Sequence, residues 1–370
     1  PGSIASVVGS LLSHVEALPA TAEGPGWDSA AWAALAELGY PLVSVPVECG
    51  GSGGTLADAV EVLIETGRFG VAAPVLETGL LGGWLLASAG LAIPNGPLGA
   101  ALAEPTQLSV RRSASGWVLD GLLRSCGWAT VADRVVVLVP GSDATASGQS
   151  FVASLPADRL VLQPTTNLAG EALSTAQLNG VVLADADAAP VAASIDSESF
   201  RCRGALGRAA MMAGAGLRVR EMTLEYAGVR TQFGRPLGDF QAVSQSLAVL
   251  AEQADCCVLA VRAAVTQFAA DPVRAAGLAK ITAGLAAEQI TARAHQIHGA
   301  IGMTMEYPLQ RFTRRLQAWS GEYGQESSWS ERIGRETLRA GPDRFWPALA
   351  ANPCSDDHRA IDRGPEMTST

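Results

Sequence analysis

Lysine is almost missing from this 370-residue chain: Lys280 is the only one, so arginine supplies nearly all of the positive charge. Charged residues of every kind amount to 17% and aromatics to 5%. Acidic side chains outnumber basic ones, the net charge is −10 and the sequence pI is ≈ 5.0. The chain as a whole therefore repels nucleic acid. Long apolar runs are missing too. The chain is 48% hydrophobic with a mean hydropathy of +0.21, yet Gly, Asp, Glu or Arg interrupts every stretch before the ~18–20 residues that a membrane helix needs. The surplus apolar surface is expected between helices and between subunits, which favours an oligomer. The six cysteines (Cys49, Cys126, Cys202, Cys256, Cys257 and Cys354) show no metal-ligand spacing. Cys256 and Cys257, adjacent on a helix, point apart. No metal site is expected, and without an apolar leader the reading is reduced thiols in a cytoplasmic protein. The glycines after Cys49 fit neither the strand-GxGxxG-helix nor the GxxxxGK[ST] phosphate loop, which makes that stretch a connector.

What is present falls into three textures, as expected for a chain too long for one simple core. Residues 4–98 read as helical: "WDSAAWAALAELG" has Asp28 as N-cap and Gly39 as stop, and an amphipathic helix starts near Thr55. Residues 99–195 read as a β domain, because "GWVLDGLL", "DRVVVLVP", "QSFVASLP", "DRLVLQP" and "LNGVVLAD" are short β-branched runs between Gly, Pro, Asp and Asn turns. Residues 196–345 return to helical periodicity in four long segments, near 200–232, 239–270, 271–299 and 308–340. Asp271-Pro272 forms a clear helix start. Residues 346–370, rich in Pro, Asp and Ser, read as a flexible tail. The expected fold is α+β and multidomain: helices, a barrel-like β domain, then a four-helix bundle.

Arginines crowd this last part: Arg201, Arg203, Arg208, Arg218, Arg220, Arg230 and Arg235, then Arg311, Arg314 and Arg315. A local arginine concentration on an acidic chain suits an anionic small molecule, since the guanidinium fork pairs two phosphate oxygens at once. Two segments sharpen this. "RTQFGRPLGDFQ" (230–241) and "QIHGAIG" (296–302) together offer a fixed cation, amide side chains and backbone N–H groups that nothing bulky shields. Those are the parts that would hold a dinucleotide pyrophosphate. Separately, each is also what a capped helix end requires.

On these two motifs, with "VPVECGGSGGTLADAVEVLIETGR", "ALAEP", "GWVLDG", "VADRVVVLV", "GLAKITAG" and "MTMEYPLQRFTRR", the chain resembles acyl-CoA dehydrogenases over nearly its whole length. The resemblance implies FAD held between subunits and a glutamate that removes the α-proton of an acyl-CoA thioester while hydride passes to the flavin. It also implies electron-transferring flavoprotein as the usual acceptor. It assigns Arg230, Gln232, Phe233, Gly234, Gln241, Gln296 and Gly299 to the cofactor surface, with Ala300 standing where the family usually has a second glycine. His298 receives no catalytic role.

Three departures from that pattern stand out. The stretch after Glu104-Pro105 is shortened. Where the family has Trp-Ile-Thr or Trp-Ile-Ser against the flavin ring, this chain has Ser125-Cys126-Gly127, with Trp128 three positions late. Where one branch carries its catalytic glutamate there is Tyr323, and where another branch carries it there is Gly204. Glu322 lies one residue early, a displacement of up to ~3.5 Å, when ~1 Å of misplacement can cost about 100-fold in rate. The resemblance therefore points to one subunit of an actinobacterial α2β2 acyl-CoA dehydrogenase acting on sterol side-chain thioesters. A second acyl-CoA dehydrogenase-like chain would supply the base and the flavin wall. The alternatives are a self-sufficient homotetramer using Glu322 as base, and a non-catalytic scaffold that binds CoA esters.

Overall fold

In the computed structural model, residues 3–15, 26–104, 106–141 and 149–343 are described. The tail expected over 346–370 and Pro105 lie outside them. Helices α1 (Ile4–Ser13), α2 (Ser29–Glu37) and α3 (Leu56–Phe69) open the chain. Asp28 caps α2 by accepting the Ala31 N–H, and Thr55 and Asp58 form a reciprocal capping box on α3. A π-helical stretch, Glu77–Gly83, then runs into the short helix α4 (Trp84–Ser88). Such wide turns are rare inside helices. Glycine lets it pack closely on the preceding turn, because a Cβ on Gly79 would stand 2.3 Å from the Pro41 carbonyl oxygen.

Eight strands follow: β1 (Leu98–Leu102), β2 (Leu108–Ser113), β3 (Gly116–Gly127), β4 (Arg134–Val139), β5 (Phe151–Pro156), β6 (Val161–Thr166), β7 (Ala172–Leu183) and β8 (Ala188–Pro190). They form one sheet in the order β6-β7-β3-β1-β4-β5-β8, with β2 on β3; among the described strands only β1 and β4 run parallel. Strand β1 and residues 135–139 of β4 are apolar throughout because both faces are covered. Val135, Val137 and Val139 pack into the sheet's own core, whereas Val136 and Leu138 pack against the helices.

The C-terminal part is helical: α5 (Ser197–Val229), α6 (Gln241–Gln267), α7 (Pro272–His298), α8 (Leu309–Gly321) and α9 (Glu326–Ala340). Between α5 and α6, β9 (Thr231–Gln232) and β10 (Arg235–Pro236) make a small hairpin. Helix α5 is the central post. It meets α3 at glycines from both sides, since a Cβ on Gly214 would lie 1.8 Å from the Ile64 carbonyl oxygen and one on Gly67 2.1 Å from that of Met211. The segment expected as one helix over 308–340 is two. Glu322 is extended, and Tyr323 and Gly324 take φ of 54° and 103°, so the chain turns there. The lone lysine holds the turn: Lys280 Nζ donates to the carbonyl oxygens of Trp319, Ser320 and Gly324 at 3.0, 2.7 and 3.1 Å. Trp319 and Ser320 lie in the last turn of α8, where carbonyls run short of intrahelical donors, although Trp319 also accepts the Glu322 N–H at 3.2 Å.

Candidate active site

A cavity of ≈ 510 Å³ lies where the π-helical turn, β1, β3, the start of α5 and the α8–α9 turn converge. Arg208, 4% exposed, crosses it. Its Nη2 donates to Glu77 Oε1 at 2.7 Å and its Nε to Glu322 Oε2 at 2.6 Å. The other oxygen of Glu322 accepts from Asn167 Nδ2 at 3.0 Å, and Asn167 also donates to Glu171. Glu171 in turn accepts from the Trp319 indole at 2.8 Å and pairs with Arg315. Both oxygens of Glu322 are thus engaged, and its carboxylate is one link in a chain of buried polar groups.

Tyr323 and Gly204 face one another. A Cβ on Gly204 would stand 2.3 Å from the Tyr323 ring, which also packs 6.1 Å from Phe200. The two positions at which a glutamate was looked for are therefore one place in space, and a phenol ring fills it. Among the described residues, four that are not glycine adopt positive φ: Ser125, Trp128, Phe233 and Tyr323. Three of these line the cavity. Backbone held in that sparsely allowed region collects at functional sites. Trp128 is buried, with its ring 6.4 Å from Trp27 and packed with Ala72 and Ala172, so its aromatic face is largely spent on a satellite core.

The nucleotide-type residues lie elsewhere, at the far ends of α5 and α7. The hairpin places Phe233 and Gly234 (φ 50° and 83°) at its tip, the two-residue turn whose backbone twist suits a hairpin. Phe233 is 93% exposed, and Arg230, Gln232, Gly234, Gln241, Gln296, Gly299 and Ala300 are also exposed or half-buried. Gly299 has φ 62° and ψ −141°, a conformation that a side chain would strain, and no atom stands where its Cβ would be. Tyr226, one turn before Arg230, stacks on His298 at 4.5 Å and donates to its carbonyl oxygen at 3.4 Å. His298 Nε2 lies 3.2 Å from the Tyr307 hydroxyl. This aromatic cluster joins the two motifs. Glu322 stands apart from them in the inner cavity.

Electrostatics separate the two regions further. Burial raises Glu77 to about 7, outweighing the attraction of Arg208. Its Oε2 is buried without a hydrogen bond. Arg208 is held firmly charged, because Glu322 and Glu77 outweigh its own desolvation. Burial drives the Tyr323 phenol well above its ordinary range and lowers Lys280 to about 8. The cavity thus offers an ion-paired carboxylate, a second carboxyl that burial raises while it pairs with Arg208, and a phenol that burial raises, none of them a free base.

The sequence reading missed Glu77, Asn167, Glu171 and Lys280 as site-building residues. A carboxylate inside the apolar run "APVLETGLLGGWLL" was the one signal that could have found Glu77. Asn167 and Glu171, in a loop between strands, carried none.

Residues 202–336 match the acyl-CoA dehydrogenase C-terminal domain. The acyl-CoA dehydrogenase FadE28 of Mycobacterium tuberculosis (strain ATCC 25618 / H37Rv) is 31% identical over 328 residues, covering 82% of this chain and 91% of that protein. Among solved structures, the ChsE4-ChsE5 complex from Mycobacterium tuberculosis superposes with a TM-score of 0.79 at 23% identity, over 90% of this chain and 96% of that one. A variant of the Tcur3481-Tcur3483 steroid ACAD does so with a TM-score of 0.76 at 23% identity, over 91% and 97%. At such identities the structural likeness speaks for the fold. The near full-length similarity to FadE28 goes further: by descent as well as by architecture, this chain belongs to the acyl-CoA dehydrogenase family.

Proposed function

We propose that the chain is one of two unlike subunits of an FAD-dependent acyl-CoA dehydrogenase that introduces an α,β double bond into an acyl-CoA thioester, and that its own inner site takes no part in the chemistry. The observation that carries this reading is the Tyr323–Gly204 contact beside the Glu322–Arg208 pair. Among the described residues no carboxylate occupies the place of a base: Glu322, next to Tyr323 in sequence, is held by two donors, and Glu77 pairs with Arg208. The two structural neighbours, the ChsE4-ChsE5 complex and the Tcur3481-Tcur3483 steroid ACAD, support a heteromer, and the second supports a bulky, sterol-derived acyl group.

The residues present fit one end of the cofactor. The exposed Arg230 and the side-chain-free backbone at Gly234 and Gly299 suit a pyrophosphate, with Gln232, Gln241, Gln296 and the edge of Phe233 beside the nucleotide and Ala300 at its border. The inner cavity does not fit the flavin ring: ion pairs cross it, and Trp128 is turned into a core. When bound, FAD accepts hydride from the β-carbon of the thioester. This chain's part is to fix the nucleotide by charge and backbone donors at a shared interface, while the partner provides the base. Electron-transferring flavoprotein is the acceptor in this reading. Cytoplasmic residence accords with the five described cysteines, all free. No described helix is long and apolar enough to cross a membrane.

The test is co-expression with the second chain. The lone chain is expected to be colourless or insoluble and the pair yellow. Arg230→Ala in this chain should lower the flavin content of the assembled pair, and Glu322→Gln should leave turnover within about twofold. A lone chain with stoichiometric flavin and turnover, abolished by Glu322→Gln, would instead establish the homotetramer. Flavin affinity indifferent to Arg230→Ala would favour the scaffold.

A further inference from the structure

The arginines of α5 are not treated alike. Arg208 has two carboxylate partners. Arg203, five residues earlier, has no ion pair and no hydrogen-bond acceptor among the described residues. It is half-buried, and its guanidinium lies over the Trp84 ring at 4.3 Å and 5.9 Å from that of Phe268. Burial alone moves its pKa, to about 10, so it stays charged at neutral pH. A cation partly withdrawn from water, with no protein acceptor for its donors, favours an anionic partner, and stacking on aromatic faces satisfies none of its N–H groups.

That guanidinium lines a second cavity of ≈ 430 Å³, on the opposite side of Gly204 from Arg208 along α5, between the chain at 44–49, α4 and α5. The volume is within the ~300–1,000 Å³ range of small-molecule sites. Val45, Pro46, Ala87 and Trp84 provide apolar wall. Ser44 and Ser88 provide hydroxyls that have no hydrogen-bond partner among the described residues. Glu48, exposed, also borders the cavity and stands outside ion-pair range of Arg203.

We infer that this cavity is a binding site for a small monocarboxylate with a compact apolar body, held by the Arg203 fork and the Ser44 and Ser88 hydroxyls. The planar guanidinium accepts a carboxylate edge-on with two parallel hydrogen bonds. The apolar wall receives the rest of the molecule, and Glu48 at the border disfavours ligands of higher negative charge. The site is separate from the nucleotide surface and from the inner cavity, so it stands or falls independently of the heteromer reading.

Calorimetric titration of the full chain, assembled with its partner where solubility requires it, tests this with cyclohexanecarboxylate, the uncharged cyclohexanecarboxamide and inorganic phosphate. The acid is expected to bind saturably and the amide not at all, with phosphate weaker than the acid. Arg203→Gln should weaken the acid at least tenfold, and Arg203→Lys less. Should Arg203→Gln fail to fold, Ser88→Asp provides a second reading: a carboxylate built into the cavity is expected to compete and weaken the acid similarly. Fluorescence quenching by the acid, lost in Trp84→Phe, locates the event. No saturable binding at millimolar acid, equal binding of the amide, tighter binding of phosphate than of the acid, or affinity unchanged in both Arg203→Gln and Ser88→Asp would each overturn the assignment.

Discussion

Arg208 shows how much of the inner site hangs on a single side chain. Its guanidinium bridges Glu77 on the π-helical turn and Glu322 on the α8–α9 turn, and removing it leaves the buried Glu77 and the partly exposed Glu322 without their shared counter-charge. Loss of one partner of a buried pair costs roughly 3–5 kcal/mol, so Arg208→Gln should lower stability by about that much in a denaturant titration. Glu77 supplies a pH signature. Its folded-state pKa, about 7, exceeds the unfolded carboxyl value of 4.5, so the native chain holds a proton that the unfolded chain has released. Native stability therefore falls as pH rises from about 4.5 to about 7 and levels off above. Glu77→Gln cannot ionise, so the melting temperature of the wild type relative to this variant should decline across that window and be flat beyond it. A constant difference would mean that Glu77 does not titrate as described.

At the scale of elements, local chemistry and tertiary contact divide the labour unevenly. The starts of α2, α3 and α7 follow from Asp28, Thr55 and Asp271 accepting N–H groups of the first turn, and all three were legible because a cap is a local event. The break between α8 and α9 had a local signal in the two glycines of "SGEYGQE", which the helical reading of 308–340 passed over. The path of the turn was not legible, because it depends on Lys280, about forty residues earlier in sequence, reaching three carbonyls. Lys280→Met keeps the stem and removes the donors. The expected cost is about 3 kcal/mol or more, with increased amide exchange over 319–325 before any change elsewhere. Uniform protection in that variant would show that the turn is held by Tyr323 and Trp329 packing instead.

At the scale of the molecule, the exposed apolar residues are concentrated on the helical part. Val229, Phe233, Leu259, Met303 and Met305 are 73, 93, 65, 71 and 47% exposed. Single exposed apolar residues are ordinary, whereas Val229 and Phe233 at the hairpin and Met303 beside the 296–302 motif stand at the two segments read as the nucleotide surface, where a partner would cover them. Phe233 is the sharpest case, a bulky ring in the left-handed region whose one aromatic neighbour among the described residues is Phe240. Phe233→Asp should leave the monomer's melting temperature within about 0.5 kcal/mol equivalent of wild type and shift the assembled complex towards dissociation in sedimentation velocity. An unchanged sedimentation profile would remove this face from the interface.

The sequence by itself determined the texture of the chain: helices, then strands, then long helices, each set by caps, turn residues and the period of apolar positions. It also marked the two motifs at 230–241 and 296–302, because their arginine, glutamines and glycines, and the family resemblance they carry, are visible without coordinates. Only the tertiary structure decided that Gly204 and Tyr323 are one site rather than two, that Glu322 is tied to Arg208, and that the single lysine closes a helix end. Those facts depend on contacts between residues from about forty to well over a hundred positions apart, and a local pattern has no means of recording which distant carboxylate a buried cation will meet.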